Sequence, residues 1–540
     1  MKKLLTTALF TVLLLPSLAS AELLKNLRMG GQLDVQSNSA RNIQDFTTRD
    51  RTPSGGRAPF YNDRLGNTLT RTMVDLHWDL LDDVHAELTF RKNNRVWGSS
   101  TTAASGYAST ASMRSDQYVD ASEPVGSGGI LGQLFLNRAN ITIDKLFGFA
   151  DMTLGRQYYG APGDLVLFWG PKDSYGFPTT AIDAVSAKFE TDHIRVTGMA
   201  GTTKASEYQY VGSTSPYSTF LSSASASKHI RGLDIMLKIP HVKVNTYVWN
   251  QLIQASAGLG NTFNAPGAND NLYVYGMKVR AEAHGQIFGF WMNLDTAFNT
   301  GTCSAAGNCL LTTTSGPDQY NFGTHYSGYG GMVDTGVNLD IPNVGGFTPW
   351  GHFAWGSGRR ESYGINDGFY TIASDYRPGI INRRFGALLF DNFGVGNTAD
   401  AAGGPRGGVG TTGLNNRVVW GAGMNMTIAA IERLTTSFQF WDYRFQRNTM
   451  RDPNFTTTNP ATEKTSRSVG NKHIGSEAGM TLTWAHSENV NLTVGGATFQ
   501  PGGYIRNWID NRNTVNSQTN NNGRGVNPAY AMFADWMVRF

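Results

Sequence analysis

Long apolar runs are missing from this sequence. Past residue 21, no stretch of the 540-residue chain approaches the roughly 18 apolar residues that a spanning helix needs, which excludes a helical membrane protein. Cysteine is nearly missing as well: Cys303 and Cys309 are the only 2, too few for a disulfide scaffold. They lie in the small-residue stretch "CSAAGNC", where a disulfide staple closing one loop is expected and the spacing matches no metal signature. Nor does charge of one sign dominate. The 45 Lys and Arg nearly offset the 41 Asp and Glu, giving a formal +4, so nothing points to nucleic acid as a partner. What is present is glycine, 63 residues, and 11% aromatics within a hydrophobic content of only 40%. Two classes remain: a large secreted all-β protein, or a transmembrane β-barrel whose strands are apolar on one face only.

The chain begins "MKKLLTTALFTVLLLPSLASA". Two lysines, an apolar run that stops at Pro16 and the small-x-small Ala19-Ser20-Ala21 predict a secretory signal peptide over 1–21. A single β-barrel domain is expected over 22–540, outside the cytoplasm.

One unit recurs along that domain: two alternating runs joined by a very short turn, then a long polar stretch. In "TLTRTMVDLHWDLLDDVHAELTFRKNN", Thr72, Val74, Leu76, Trp78 and Leu80 face one way. Arg71, Met73, Asp75, His77 and Asp79 face the other, and the return run sets Val84, Ala86, Leu88 and Phe90 on the apolar face. Period two on both arms is the signature of a strand pair. Further turns are expected near Phe147, at Thr191-Asp192, at Pro240-His241 and at His284-Gly285. With a first strand near 27–37 and a last at 530–540, the count reaches about 18 strands. The long stretches (38–66, 98–130, 158–180, 202–227, 252–270, 299–325, 358–415, 446–471 and 500–528) all fall at one end. Tight periplasmic turns opposite long extracellular loops are the pattern of an outer-membrane barrel.

The last strand, "YAMFADWMVRF", completes the case. Tyr530, Met532, Ala534, Trp536, Val538 and Phe540 form an apolar face, while the interleaved set carries Asp535 and Arg539. An apolar face on every strand calls for lipid, and a sheet in lipid must close because its edges have no water to bond. The expected fold is all-β: a transmembrane antiparallel up-and-down β-barrel in the bacterial outer membrane, set in lipid and lipopolysaccharide. The terminal aromatic Phe540 has the form of a signal read by the barrel-assembly machinery.

A barrel of this size holds a water-filled channel unless loops plug it. Strand phase points Arg71, Arg91, Arg95, Arg138, Arg195, Lys243 and Arg280 inward, together with acids that include Asp75 and Glu477. The first four arginines gather toward the long-loop half, whereas Asp75, Asp79 and Glu87 lie nearer the short turns. A ladder of arginines could guide carboxylates or phosphates. Alternatively the wall charges pair with one another across the lumen and keep it wet. His77 is expected opposite Glu87, and Asp79 opposite His85. Wall hydrogen bonding accounts for such pairs, since no nucleophile at a diagnostic spacing accompanies them. No enzyme activity, cofactor or metal is implied.

Two of the long stretches are too apolar for free coil. The segment 358–415 contains "RRESYGINDGFYTIASDYRPGIINRRFGALLFDNFG", and 158–180 reads "YYGAPGDLVLFWGPKDSYGFPTT". Loops of that length are functional or disordered, so the first is expected to fold over or into the lumen, and the second to contribute to a constriction.

Two stretches, "DMTLGRQYYGAP" with "AIDAVSAKFE" (151–162 and 181–190) and "HIGSEAGMTLTWAHSENVNLTVGGATFQPGG" (473–503), resemble the alginate-export family of outer-membrane barrels. The resemblance implies 18 strands and export of an anionic polysaccharide through an arginine-lined lumen. It matches Arg156 and Gln157 to a Gly-Arg-Gln element and Glu477 to a Gly-x-Glu element. Arg156 shares its phase with Leu154, so it reaches the lumen only if Gly155 carries a bulge. Gly479 departs from the pattern, standing where an aspartate is expected. The function expected is a channel (porin) passing small or polymeric solutes, anions and saccharides among them, by passive diffusion or export. The alternative is an outer-membrane adhesin or binding barrel whose loops seal the lumen.

Overall fold

The computed structural model describes residues 26–43, 64–93, 135–174, 177, 179–204, 227–254, 269–303, 324–358, 365–389, 414–446, 471–506 and 527–540. The expected signal peptide at 1–21, Arg95 and Cys309 lie outside the described residues, as does the side chain of Cys303.

The wall begins with β1 (Leu27–Arg41), β2 (Arg64–Leu81), β3 (Val84–Asn93), β4 (Phe135–Leu146) and β5 (Ala150–Gln157). It continues with β6 (Ile182–Glu190), β7 (Ile194–Lys204), β8 (Ser227–Ile239), β9 (Val242–Gln254) and β10 (Asn269–His284). Next come β11 (Phe288–Cys303), β12 (Tyr329–Ile341), β13 (Gly345–Gly356) and β14 (Arg417–Ile428). The last four are β15 (Ile431–Phe445), β16 (His473–Ser487), β17 (Val490–Pro501) and β18 (Ala529–Arg539). Each pairs antiparallel with its neighbour in the chain, and β18 returns to β1 from Gln32↔Arg539 to Arg41↔Tyr530. The result is a closed 18-strand antiparallel barrel. Closure leaves the wall no free edge, which is the condition for a sheet in hydrocarbon.

Period-two alternation sets which face is which. Outward residues such as Leu233 and Leu237 on β8, Phe438 and Phe440 on β15, and Met532 and Trp536 on β18 stand exposed around the barrel. An apolar surface that extensive is a lipid-facing belt. The inward phase is polar and largely covered: Asp34, Arg71, Asp295 and Glu477 are all buried. At the short-turn end, Asp82-Asp83 closes the first hairpin, and an extra residue at Leu80 sets His77 opposite Glu87 and Asp79 opposite His85. The C-terminal residue closes the seam between β1 and β18. Gly31 N–H donates to Phe540 O at 2.8 Å, and a Cβ on Gly31 would lie 2.6 Å from the Phe540 ring.

The buried apolar cluster lies inside the barrel. Two segments fold inward from the long-loop end, one between β5 and β6 (158–181) and one between β13 and β14 (365–389), which includes helix α1 (Ile380–Leu389). Leu165, Val166 and Trp169 of the first join Phe369, Ile372 and Phe385 of the second in one cluster, which reaches Trp249 and Val274 on the wall. Backbone bonds zip the two together. Phe168 N–H reaches Ala373 O at 2.8 Å, Ala373 N–H reaches Val166 O at 3.0 Å, and Asp375 N–H reaches Asp164 O at 2.9 Å. The paired backbone spares buried N–H and C=O groups the cost of desolvation without a partner.

Candidate functional site

The site is the lumen where these segments narrow it, and the wall side chains that hold them decide its shape. Helix α1 enters with unsatisfied N–H groups at its first turn, and no acid of its own stands there. A wall residue fills that role. The Oε1 atom of Glu477 on β16 accepts from Ile381 N–H at 2.9 Å and also from Ile380 N–H. The Tyr443 hydroxyl lies 3.1 Å from Glu477 Oε2 and 3.0 Å from Pro378 O. The turn before the helix fits only as glycine. Gly379 has φ +84, and a Cβ there would lie 2.1 Å from the Tyr443 hydroxyl oxygen. At Gly479 a Cβ would lie 2.6 Å from Ile380 Cδ1, so an aspartate in that position would occupy the place of the helix residue.

Charged side chains complete the docking. Arg71 Nε donates to Asp34 at 2.8 Å and its Nη1 to Lys172 O at 2.9 Å, with the guanidinium 4.7 Å from the Phe177 ring centre. Lys172 and Asp375 form a buried ion pair at 3.4 Å, and Arg377 pairs with the same carboxylate. Burial pushes the Lys172 amine down to about 8; the neighbouring Arg377 charge acts in the same direction and Asp375 opposes it. Lys278 on β10 reaches Asp164 at 2.8 Å. His352 on β13 bridges Asp334 (2.5 Å) and the Tyr376 hydroxyl (2.8 Å). Helix α1 contributes Arg384 to Asp535 on β18, and Arg383 Nε to Asp173 at 2.8 Å. The Arg383–Asp173 pair is more than half exposed inside the barrel.

The expected lining residues separate into four groups. Arg71 and Glu477 are inward but buried, acting as anchors for the inner segments rather than facing open water. Arg138 is held on the wall by Asp75 at 3.0 Å and Glu87 at 2.9 Å. Arg91 is buried with its guanidinium 4.9 Å from the Phe135 ring centre. Nearer the short turns, a chain of contacts crosses β1 to β4: Arg28–Asp79 at 2.9 Å, Asp79–His85 at 2.7 Å and His85–Asp144 at 3.1 Å. These are wall charges pairing with one another.

Arg156 corrects one expectation. The register runs Ile141↔Leu154, Asn140↔Gly155 and Ala139↔Arg156 without a break, so Gly155 carries no bulge. Arg156 therefore keeps the outward phase of Leu154, with Nε 4.0 Å from Asp183 on β6. It is Gln157 that turns inward, donating to Ala184 O at 3.0 Å.

The last group is basic. Lys243 on β9 and Arg280 on β10 are direct cross-strand partners, both exposed, and Lys238, itself paired with Glu190 at 2.6 Å, stands opposite Lys243 on β8. Among the described residues neither Lys243 nor Arg280 has a hydrogen bond or ion pair. Arg195 on β7 adds a buried Nε without a hydrogen-bond partner. Like charges directly opposite one another destabilise a sheet, so this cluster is not explained by wall stability. Tyr443, His352, Asp164 and Asp375, which hold the inner segments, carry no local pattern that would have marked them in the sequence.

No family model matches the chain, and no curated protein matches it. Solved structures are similar to it in shape. OccAB1 of Acinetobacter baumannii is 9% identical over 95% of this chain and 97% of that one, at a TM-score of 0.48. OccK8 (OprE) of Pseudomonas aeruginosa is 8% identical over 95% and 98%, at 0.47. The outer membrane protein OprD of Pseudomonas aeruginosa is 8% identical over 95% and 94%, at 0.46. The resemblance to the alginate-export family finds no support among these comparisons. The fold rests on this chain's own strand pairing.

Proposed function

We propose that the chain is an outer-membrane porin that passes small anionic solutes by passive diffusion. The observation that carries this reading is the unpaired, water-exposed pair Lys243 and Arg280 on the inner wall. They share the lumen with a neck edged by the exposed Arg383–Asp173 pair. Exposed cations without partners on the wall of a channel raise the local concentration of anions. The two docked segments favour small solutes over a polymer, because a polysaccharide would need them withdrawn. No covalent step is required, and the His–carboxylate contacts serve as wall hydrogen bonds.

The test is single-channel recording of the refolded protein in a planar bilayer under a salt gradient. Steady conductance with an anion-selective reversal potential is expected. Steady conductance with cation selectivity overturns the anionic substrate class. A silent membrane overturns the channel and favours the binding-barrel alternative.

A further inference from the structure

We infer that the outward faces of β15 and β16, just above the apolar belt, form a binding site for the phosphate of a lipid headgroup. The site is built from Arg444 over a buried Asp442, with Lys472 nearby, just before β16. The inference rests on the membrane-spanning reading of the barrel.

The outward residues of β15 run Phe438, Phe440, Asp442, Arg444, changing from apolar to charged between one position and the next. Phe440 and Trp420 on β14 are both exposed, with ring centres 5.6 Å apart. Outward aromatics of this kind mark the level where hydrocarbon meets headgroups. Asp442 and Arg444 then stand about 7 and 13 Å further along the strand.

Asp442 is 3% exposed although it belongs to the lipid-facing phase, because its neighbours cover it. Oδ2 accepts from Arg444 Nε at 2.6 Å, while His473 Nε2 and Ser476 Oγ each lie 2.8 Å from Oδ1. The arrangement is no Ser–His–Asp relay. The same imidazole nitrogen faces both the carboxylate and the hydroxyl, which leaves no second nitrogen to take the serine proton.

What the carboxylate does is hold the guanidinium by one edge. Arg444 is 53% exposed, and among the described residues Nη1 and Nη2 have no partner. Lys472 immediately precedes β16, where its carbonyl accepts Phe445 N–H at 2.8 Å. Among the described residues its exposed ammonium donates only to Gln446 O, at 2.8 Å. Arg444 thus projects outward over a single acid with its planar fork free, and the Lys472 ammonium lies by Gln446, two residues further along. A guanidinium fork matches two phosphate oxygens, and an ammonium adds a point charge. The apolar belt directly below would receive acyl chains, which selects a phosphorylated lipid over free phosphate.

The experiment uses the full chain refolded in lipid-free detergent, titrated with diphosphorylated lipid A, dephosphorylated lipid A or inorganic phosphate. The thermal midpoint is followed throughout. Diphosphorylated lipid A is expected to raise the midpoint, with an apparent affinity about ten-fold weaker in the Arg444→Gln/Lys472→Gln double variant. An equal response to the dephosphorylated lipid, an equal response to inorganic phosphate, or unchanged affinity in the double variant each overturns the site. Heat-modifiable electrophoretic mobility of the same samples reports the barrel separately. Protein that lacks it overturns the membrane reading, whereas protein that has it and ignores phosphorylated lipid overturns only this inference.

Discussion

Glu477 on the barrel wall accepts the backbone N–H of Ile381 at 2.9 Å across 96 positions of sequence. A helix folded into the lumen is therefore capped by the wall itself. With the Ile380 N–H and the Tyr443 hydroxyl included, three hydrogen bonds converge on one carboxylate. At about 1 kcal/mol each, Glu477→Ala should weaken docking of α1 by roughly 3 kcal/mol. The expected readout is a larger single-channel conductance than wild type, with frequent transitions. Wild-type conductance in a folded Glu477→Ala barrel would show that the cap does not hold the constriction.

The contact between Gly479 and Ile380 makes a second, independent test. A side chain at 479 enters the space of Ile380 Cδ1, and overpacking of that kind costs about 1–3 kcal/mol. Gly479→Asp should therefore raise conductance as Glu477→Ala does. Adding Ile380→Ala should partly restore the narrow state, because it removes the atoms in collision. If Gly479→Asp conducts like wild type, the close approach of α1 to β16 is not what sets the neck.

The wall was legible in the sequence because its code is local. Period-two alternation in Thr72–Leu80 and Tyr530–Phe540 states which face meets lipid, and short turns such as Pro240-His241 state where strands reverse. Even the His77–Glu87 and Asp79–His85 pairs follow from one hairpin's register. Arg156 shows the limit of phase reasoning at a glycine: whether Gly155 bulges depends on its pairing with β4, which no local pattern encodes. The inner segments were foreseeable as apolar loops, but not their anchors. Glu477 reads as one more inward acid until the helix it caps is brought to it from elsewhere in the chain. The pairing of Asp164 with Lys278 is likewise a product of closure.

Selectivity should follow the unpaired cations. Lys243→Gln with Arg280→Gln removes two exposed charges that no described acid neutralises by contact. It also relieves their cross-strand repulsion, so the variant should fold at least as well as wild type. The reversal potential under a salt gradient should move toward cations, with conductance little changed. Substituting Arg138 instead, whose charge is matched by Asp75 and Glu87, should cost stability. A reversal potential unmoved by the double substitution would assign the selectivity to the neck.

The neck has a titratable member of its own. Burial, helped by Arg377, lowers Lys172 from 10.5 to about 8, while its charge partner Asp375 lies 3.4 Å away. Below about 8 the amine is charged and the ion pair is present. Between about 8 and 10.5 the docked segment has released a proton that an undocked segment keeps. Because the undocked form then binds more protons, this group's contribution to docking becomes more favourable as pH rises through that window. At the same time the neck loses one positive charge. Anion preference should therefore fall as pH rises through about 8, without the flicker expected of an undocked segment. Lys172→Met, which fills similar volume without charge, should give a reversal potential flat across the same range. A wild-type preference that does not change between pH of about 7 and 9.5, or a Lys172→Met channel that still titrates there, would place the titrating charge elsewhere.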